Sequence, residues 1–262
     1  MKRKSFFFDI DGTLTDRKTG IIVPSAWKAL KKLEEAGPFV SLCTGRAWYK
    51  AEWFRADHHF KNMVCNGGHG IVIDGRLIEN RPLNYEAARR LYDQALSLGY
   101  GVLAAVQDCK EVHADSFRFI EQSGPRQEPT VYIIDEEFHP DQFGSIFKLY
   151  ISVNEEQEKE LDIDPCLGSL RFKKEYLMIP PDEKLEGIER MLEMTGGNPD
   201  DVVVFGDDLN DLVMFDKRFV KVDMGNGHEL LKQKADLIAD VNLKDGIWKI
   251  CEQQGWFEPA DQ

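Results

Sequence analysis

The segment Ser5–Thr15, SFFFDIDGTLT, is the part of the sequence from which the fold prediction starts. Its apolar run from Ser5 to Ile10 is typical of a buried β-strand, and the run ends in Asp9-Ile10-Asp11-Gly12. The two aspartates are two residues apart, so an extended strand would carry both to the same side at its C-terminal end. Asp9 also interrupts the apolar run after three phenylalanines, which favours a first strand over a signal peptide.

Downstream of this strand, helix and strand signals alternate. Pro24-Ser25 opens a predicted helix that Gly37 ends, and Phe39 to Cys43 is the second predicted strand. A third strand ends within Val64–Gly68, and Asp74-Gly75 suits the turn of a hairpin that follows it. This alternation predicts an α/β fold with a doubly wound parallel sheet, covered by helices on both faces.

The alternation is interrupted in the middle of the chain. There, a helix over Asn84–Leu98 is followed by short strand-like runs separated by polar helices and turns. We therefore predict an α+β segment over residues 82–181, inserted into a core formed by residues 1–81 and 182–262. The core pattern resumes with a helix and with the apolar strand Val202–Phe205.

The bulk composition is that of an ordinary globular protein. The 262 residues are 42% hydrophobic and 30% charged, and no apolar run approaches the roughly 18 residues that a membrane-spanning helix needs. The formal net charge of -13 argues against nucleic acid as a partner, because phosphate backbones bind basic surfaces. A small anionic substrate remains compatible with this charge if its site is locally positive. We expect no nucleic-acid or membrane partner, and a monomer or homodimer.

The five cysteines bear on the cellular compartment. Their number is odd, they are widely spaced, and no two of them form a Cys-x-x-Cys pair. This usage favours reduced thiols over a disulfide framework or a zinc site, so a cytoplasmic location is expected.

Polar side chains gather at the C-terminal ends of the predicted parallel strands, where ligands bind in open α/β sheets. Several carboxylates in one crevice repel one another unless a cation lies between them, and hard oxygen ligands of this kind suit Mg²⁺. With a metal ion and a lysine present, a phosphate dianion could approach Asp9, which would otherwise repel it. The side chains are Asp9 and Asp11 after the first strand, Thr44 after the second, Asp207, Asp208 and Asp211 after the strand at Val204, and Lys184 on the helix before it.

These segments resemble, in the expected order, the four motifs of the haloacid dehalogenase (HAD) superfamily. Residues 9–15, DIDGTLT, resemble the first motif, Thr44 the second, Lys184 the third and residues 206–211, GDDLND, the fourth. The resemblance covers most of the chain outside the insertion. It implies a Rossmann-like catalytic core, with an α/β cap at residues 82–181 that sets substrate specificity. Further segments resemble the Cof-type sugar-phosphatase branch: Asn66-Gly67, Met224–Gly227, and Ala235-Asp236 to Asp245-Gly246.

The resemblance also implies a Mg²⁺-dependent phosphatase that hydrolyses a phosphate monoester of a small metabolite, such as a sugar phosphate, through an aspartyl-phosphate intermediate. Asp9 would be the nucleophile, since a carboxylate is ionised at neutral pH and forms a hydrolysable acyl phosphate. Asp11 would protonate the leaving alkoxide and later deprotonate the attacking water. The implied metal site comprises Asp9, the backbone carbonyl of Asp11, Asp207, and Asp211 one helical turn away. The implied substrate-binding residues are Thr44, Gly45, Arg46, Lys184 and Asn210, of which Thr44 and Lys184 also count as catalytic.

Three of these assignments stay open at the level of sequence. Lys184 lacks the glycine that usually follows it in the family, so Lys173 and Lys174 remain alternatives to it. Arg46 could contact the substrate or form a local salt bridge. Asp208 could serve the metal shell or be a solvated or capping carboxylate.

Two rival functions also stay open. A phosphotransferase or phosphomutase on the same fold would pass phosphate to a second sugar instead of to water. A non-catalytic module would bind a phosphorylated ligand without turnover. Asp11 favours hydrolysis, because superfamily members that keep a long-lived phosphoenzyme often lack the second aspartate.

Overall fold

A computed structural model describes residues 4–258 of the chain. In chain order, its strands are β1 (Ser5–Phe8), β2 (Phe39–Cys43), β3 (Asn62–Cys65), β4 (Gly70–Ile73), β5 (Arg76–Asn80), β6 (Val102–Ala105), β7 (Glu111–Ala114), β8 (Val131–Ile134), β9 (Lys148–Ile151), β10 (Leu170–Lys173), β11 (Tyr176–Ile179), β12 (Val202–Gly206), β13 (Val220–Asp223) and β14 (Leu237–Ile238). Its α-helices are α1 (Pro24–Ala36), α2 (Trp48–Asp57), α3 (Tyr85–Ser97), α4 (Arg118–Ser123), α5 (Glu155–Glu158), α6 (Lys184–Thr195), α7 (Glu229–Lys234) and α8 (Gly246–Gln253). Within residues 4–258, none of the helices combines the length and the apolar character needed to cross a bilayer.

The chain divides into two compact units. Among the described residues, the core unit comprises residues 4–46, Ala51–Glu79 and residues 183–258. The inserted unit comprises Asn80–Asp182 together with the short segment Ala47–Lys50.

The core unit is built on an eight-stranded sheet in the order β14-β13-β12-β1-β2-β3-β4-β5. The six strands from β14 to β3 pair in parallel, and β4 pairs with β3 antiparallel. This arrangement confirms the predicted doubly wound α/β core. The hairpin of β4 and β5 turns at Asp74-Gly75, as the sequence predicts.

The central strand β1 is buried on both faces, which explains its uninterrupted phenylalanines. Phe7 packs with Ile188 and Met191 of α6 on one face. Phe6 alternates to the other face, where its ring lies 5.3 Å from that of Trp256, just after α8. Each fully buried Phe or Leu of this kind stabilises the fold by about 1.5–3 kcal/mol.

The first strand is shorter than the sequence predicts. The strand expected over Ser5–Ile10 ends at Phe8. The N–H of Asp9 still donates to a carbonyl of β12, but the chain then turns, with Gly12 at a φ of 96°. The premise that both aspartates lie on one extended strand is therefore wrong. The carboxylate of Asp9 is buried at the sheet end, whereas that of Asp11 is 52% exposed.

The inserted unit contains a six-stranded sheet in the order β10-β11-β9-β6-β7-β8. All its strand pairs are antiparallel except β7 with β8. One face packs against α3, where Leu91 and Tyr92 meet Leu149 and Ile151 of β9. The other face joins Tyr150 of β9 to Phe119 of α4. This is the α+β architecture that the sequence predicts for the insertion.

Strong local signals located the elements well. Strand β2 has the predicted bounds, and α1 is followed by Gly37, which adopts the left-handed conformation of a C-cap (φ 102°). The sequence analysis did not identify β7, β8, β10, α4, α7 or α8 individually. Each of these has at most eight residues, so its periodic signal is short.

Candidate active site

Three polar side chains follow neighbouring strands of the core sheet at the ends predicted for a ligand site. Asp9 follows β1, Thr44 follows β2 and Asp207 follows β12. All three are almost completely buried. The parallel register of these strands places their C-terminal ends at one edge of the sheet.

A carboxylate cluster forms at this edge. One oxygen from each of Asp9, Asp207 and Asp211 lies within 4.8 Å of the others. Burial, together with the charges of Asp211 and Asp207, raises the pKa of Asp9 well above its usual value. Burial and the charge of Asp211 raise the pKa of Asp207 to about 6. The cluster therefore has an excess of negative charge that a cation would neutralise.

Lys184 supplies one positive charge inside this cluster. Its buried ammonium donates to Oδ1 of Asp9 at 2.7 Å and to Oδ1 of Asp211 at 2.6 Å. Burial alone would lower the pKa of Lys184, but the two carboxylates outweigh it and raise the pKa well above its usual value. Of the three candidate lysines, Lys184 is the one whose ammonium the core unit holds against Asp9, while Lys173 lies in β10.

Asp211 acts mainly as a structural anchor of the loop after β12. Its Oδ2 accepts the backbone N–H groups of Asp207 at 2.9 Å and of Asp208 at 3.0 Å, while its Oδ1 accepts from Lys184. Gly206 is required beside it, because a Cβ there would lie 2.6 Å from the Cβ of Asp211. Both oxygens of Asp211 are therefore engaged before any ligand binds.

Asp208 caps the 3₁₀-helix Leu209–Met214. Its Oδ1 accepts the backbone N–H of Leu209 at 2.8 Å, and its Oδ2 accepts from Arg17 at 2.8 Å. This geometry is that of a helix cap and an ion pair, one of the two interpretations that the sequence allowed.

Two residues that the sequence analysis did not single out hold Asp207. Thr13 donates its hydroxyl to Oδ1 at 2.9 Å, and Arg17 donates Nη2 to Oδ2 at 2.8 Å. Asn226 also belongs here, since its amide donates to the carbonyl of Gly12 at 2.9 Å. In the sequence, Thr13 stands inside the first motif and Arg17 stands shortly after it. Neither residue type indicates a contact with an aspartate that lies 190 residues further along the chain.

Asp11 and Arg46 form an ion pair with two hydrogen bonds. Nε and Nη2 of Arg46 donate to the two oxygens of Asp11 at 2.8 and 2.6 Å. The guanidinium also lies 5.4 Å from the ring centroid of Phe54. Arg46 thus makes the local salt bridge that the sequence left as one alternative.

The remaining predicted substrate-binding groups lie around the end of β2. The hydroxyl of Thr44 accepts the N–H of Arg46 at 3.2 Å. A Cβ added to Gly45 would lie 3.6 Å from the side-chain nitrogen of Asn210, so the two loops meet there. Among the described residues, no hydrogen-bond partner occupies the amide of Asn210, which leaves it available to a ligand.

The start of α6 is clamped by the loop after β3. The N–H of Glu183 donates to the carbonyl of Gly67 at 2.6 Å, and Nε2 of His69 lies 2.9 Å from a carboxylate oxygen of Glu183. Because no glycine directly follows Lys184, the sequence left the packing of this helix in doubt. Gly187 allows the close approach instead, since a Cβ at Gly187 would lie 2.7 Å from Cα of Gly68. This clamp positions Lys184 under Asp9.

The donor set fits Mg²⁺. Asp9 and Asp207 provide hard carboxylate oxygens within reach of one centre. One divalent ion would offset the charge that raises the pKa of both aspartates.

The chain is similar to known proteins in sequence and in fold. A model of the haloacid dehalogenase-like hydrolase family matches residues 6–250. "Putative phosphatase YkrA" of Bacillus subtilis (strain 168) is 30% identical over 259 residues, covering 97% of this chain and 99% of that protein. BT1666 of Bacteroides thetaiotaomicron, from a study of HAD-superfamily phosphatases, has a TM-score of 0.81 at 22% identity, covering 97% of this chain and 96% of that one. The HAD subclass IIB sugar phosphatase BT4131 has a TM-score of 0.76 at 21% identity, covering 97% and 99% respectively. At these identities the two structural matches show the fold.

Proposed function

This chain belongs to the haloacid dehalogenase-like hydrolases, in their Cof-type branch, and is a phosphatase; we propose that it hydrolyses a phosphate monoester of a sugar or similar small metabolite. The observation that supports this most directly is the environment of Asp9. Lys184 holds one carboxylate oxygen at 2.7 Å. A buried carboxylate oriented in this way is suited to attack phosphorus.

The cofactor in this proposal is Mg²⁺. Asp9, Asp207 and the backbone carbonyl of Asp11 would hold it, and Asp211 would orient the loop that carries Asp207. When bound, Mg²⁺ would neutralise the carboxylates and the phosphate dianion, which lowers the electrostatic barrier to their approach.

The first half of the proposed reaction transfers the phosphoryl group to the protein. Oδ2 of Asp9 forms a bond to phosphorus, and the bond from phosphorus to the ester oxygen breaks. Asp11 gives its proton to the departing alkoxide, so a neutral alcohol leaves. In the structure Asp11 is ion-paired with Arg46 at the exposed edge of the site, so it must leave this ion pair and take up a proton before it can act as the acid.

The second half returns Asp9 to its starting state. Asp11, now a carboxylate, takes a proton from a water molecule whose oxygen bonds to phosphorus. The acyl-phosphate bond to Asp9 breaks, and inorganic phosphate leaves. Lys184, Thr44 and Asn210 are the groups proposed to bind the phosphoryl oxygens, with Gly45 and Arg46 beside them.

The test is phosphate release by the purified protein from a panel of phosphorylated sugars, nucleotides and vitamins, with Mg²⁺ and with chelator. We expect Asp9→Asn to abolish release while its circular dichroism spectrum matches that of the unaltered protein. Asp57→Asn is the matched control, because the Asp57 side chain is 73% exposed. A near-normal rate in Asp9→Asn would exclude Asp9 as the nucleophile.

The same assay separates the two rival functions. A phosphotransferase or mutase would label a second sugar and release little phosphate to water. A non-catalytic module would bind a phosphorylated ligand in the presence of Mg²⁺ and release none.

Residues 82–181 are proposed to set substrate choice, and the protein is proposed to act in the cytoplasm as a monomer or homodimer. None of the five cysteines, all of which lie within residues 4–258, forms a disulfide bond, which is consistent with a reducing compartment.

A further inference from the structure

Two asparagines connect the loop after β1 to the loops after β13 and β14. Asn226 lies in the loop that follows β13, and Asn242 begins the 3₁₀-helix Asn242–Lys244 that follows β14. Both stand in segments that resemble the Cof-type branch, and the proposed hydrolysis gives neither of them a role. All three loops belong to the core unit, so their contacts lie within one compact part of the chain.

The first contact is made at Gly12, in the turn after β1. Nδ2 of Asn226 donates to the carbonyl of Gly12 at 2.9 Å and lies 3.4 Å from Oδ2 of Asp207. Gly12 adopts a φ of 96° and directly follows Asp11, whose own carbonyl is proposed to bind Mg²⁺. Because glycine is free at both backbone dihedral angles, a bond to its carbonyl limits the motion of the turn. Asn226 therefore restrains the residue next to a proposed metal ligand.

The second contact is made at Thr15, where the same turn ends. Nδ2 of Asn242 donates to the carbonyl of Thr15 at 2.8 Å, and Asn242 is buried. The backbone N–H of Asn242 donates to Oδ1 of Asn226 at 2.9 Å. This bond fixes the orientation of the Asn226 amide, because an amide that accepts through Oδ1 must present Nδ2 on its other side, toward Gly12. One asparagine thus orients the other, and both hold the same turn.

The loop that carries Asn226 is itself bonded to the end of β12. The N–H of Met224 donates to the carbonyl of Gly206 at 3.1 Å, and the N–H of His228 donates to the carbonyl of Asp207 at 2.9 Å. These two bonds lie on either side of Asn226 in the sequence, so they tie its position to that of Asp207. A group that is bonded to Asn226 is therefore held at a defined distance from Asp207.

We propose that Asn226 and Asn242 are positioning residues, which hold the turn after β1 so that the carbonyl of Asp11 and the carboxylate of Asp207 lie within reach of one Mg²⁺ ion. This inference rests on the proposed function, which supplies the metal ion and its ligands. Neither asparagine is proposed to contact the metal or the substrate. Both are neutral, so they do not compete with a cation for Asp207 as the guanidinium of Arg17 does.

Asn226→Ala is the direct test, because Asn226 is exposed and its replacement leaves the packing of the core unchanged. In hydrogen exchange without metal, followed by mass spectrometry, the amides of residues 12–15 should exchange about threefold faster or more, as the loss of one hydrogen bond implies. Calorimetric titration at pH 8 should show Mg²⁺ binding weakened by a similar factor. Asn242→Ala should have the same two effects from a different position, and circular dichroism identifies a variant that does not fold.

Asn198→Ala is the matched control. Asn198 also holds a turn of the core unit, since its Oδ1 accepts the N–H of Asp200 at 3.3 Å and its Nδ2 donates to Asp201 at 3.0 Å. It precedes β12 and therefore lies at the opposite end of that strand from Asp207. Its replacement should lower the stability in urea and leave both the exchange of residues 12–15 and the Kd for Mg²⁺ unchanged. A merely structural role of Asn226 would give the same pattern as this control.

The Kd for Mg²⁺ decides the proposal. An unchanged Kd in folded Asn226→Ala would overturn it even if exchange were faster, and so would an equal change of Kd in Asn198→Ala. An unaltered protein that binds no Mg²⁺ would overturn both this proposal and the proposed cofactor. An unaltered protein that binds Mg²⁺ and releases no phosphate would contradict the proposed function alone, because a weaker Kd in Asn226→Ala would still support the role of the asparagines.

Discussion

Replacing Lys184 with methionine tests the charge arrangement at the centre of the site. Methionine keeps the unbranched apolar stem but removes the ammonium that bonds Asp9 and Asp211. Both carboxylates and the lysine are almost completely buried, so the change leaves two buried negative charges without their counter-ion. Removal of one partner of a buried ion pair costs about 3–5 kcal/mol, and we expect a loss of that size at pH 8 without added metal.

The loss should depend on pH in a defined direction. The pKa of Asp9 is already raised well above its usual value by burial and by neighbouring carboxylates, and removal of Lys184 raises it further. A carboxyl group whose pKa is higher in the folded state than in the unfolded state takes up a proton on folding. The folded state therefore loses stability as the pH rises from about 4 through the folded-state pKa. The variant should therefore be closest to the unaltered protein near pH 5 and furthest from it near pH 8.

Urea denaturation followed by tryptophan fluorescence measures this difference. Trp256 packs on Phe6 and so contributes a signal from the core unit. Lys159→Met is the matched control, because the Lys159 side chain is 70% exposed and should change the free energy of unfolding by less than about 0.5 kcal/mol. Mg²⁺ at 100 times its Kd adds about 2.7 kcal/mol to the stability of any form that binds it.

A loss below about 1 kcal/mol at pH 8, or an equal loss at pH 5 and pH 8, would refute the reasoning. Either result would mean that Lys184 does not neutralise the two carboxylates in solution. Phosphate release should also be lost in Lys184→Met, but that result alone would not separate a structural from a catalytic role.

Three other changes address neighbouring features. Asp223 is fully buried, neither of its oxygens has a partner among the described residues, and burial raises its pKa to about 7. Asp223→Asn should therefore raise the melting temperature at pH 8, corresponding to roughly 2–4 kcal/mol, with a smaller gain at pH 5; an equal gain at both values would contradict this. Arg17→Met removes the guanidinium bonded to Asp207, so calorimetry at pH 8 should show two- to tenfold tighter Mg²⁺ binding, and weaker binding would show that Arg17 supports the site instead. Gly68→Ala should destabilise the protein by more than 2 kcal/mol in urea denaturation, because the new Cβ would overlap a backbone carbonyl at a φ of 107°. Gly196→Ala, also at positive φ but with open space around it, should cost only about 1 kcal/mol, and equal losses would assign the effect to backbone conformation alone.

Much of the fold was readable from local sequence because its signals are short-range. The apolar run before Asp9, the proline that opens α1 and the glycine that ends it specify elements without reference to the rest of the chain. The extent of β1 was not readable in this way. The strand ends at Phe8 because the chain turns there, and the apolar Ile10 beyond it is buried in the turn and not in the sheet.

The sequence by itself determined the doubly wound core and the set of carboxylates at its strand ends, because strand ends and motif order are properties of neighbouring residues. Only the tertiary structure decided which groups pair. Lys184 forms a hydrogen bond with Asp9, which lies 175 residues away in the sequence, and Arg17 forms one with Asp207, which lies 190 residues away. The ring of Tyr150 meets the guanidinium of Arg126 in the same way. Such contacts depend on which strands lie side by side in the sheet and on which face of the sheet each side chain lies. The order of residues along the chain specifies neither.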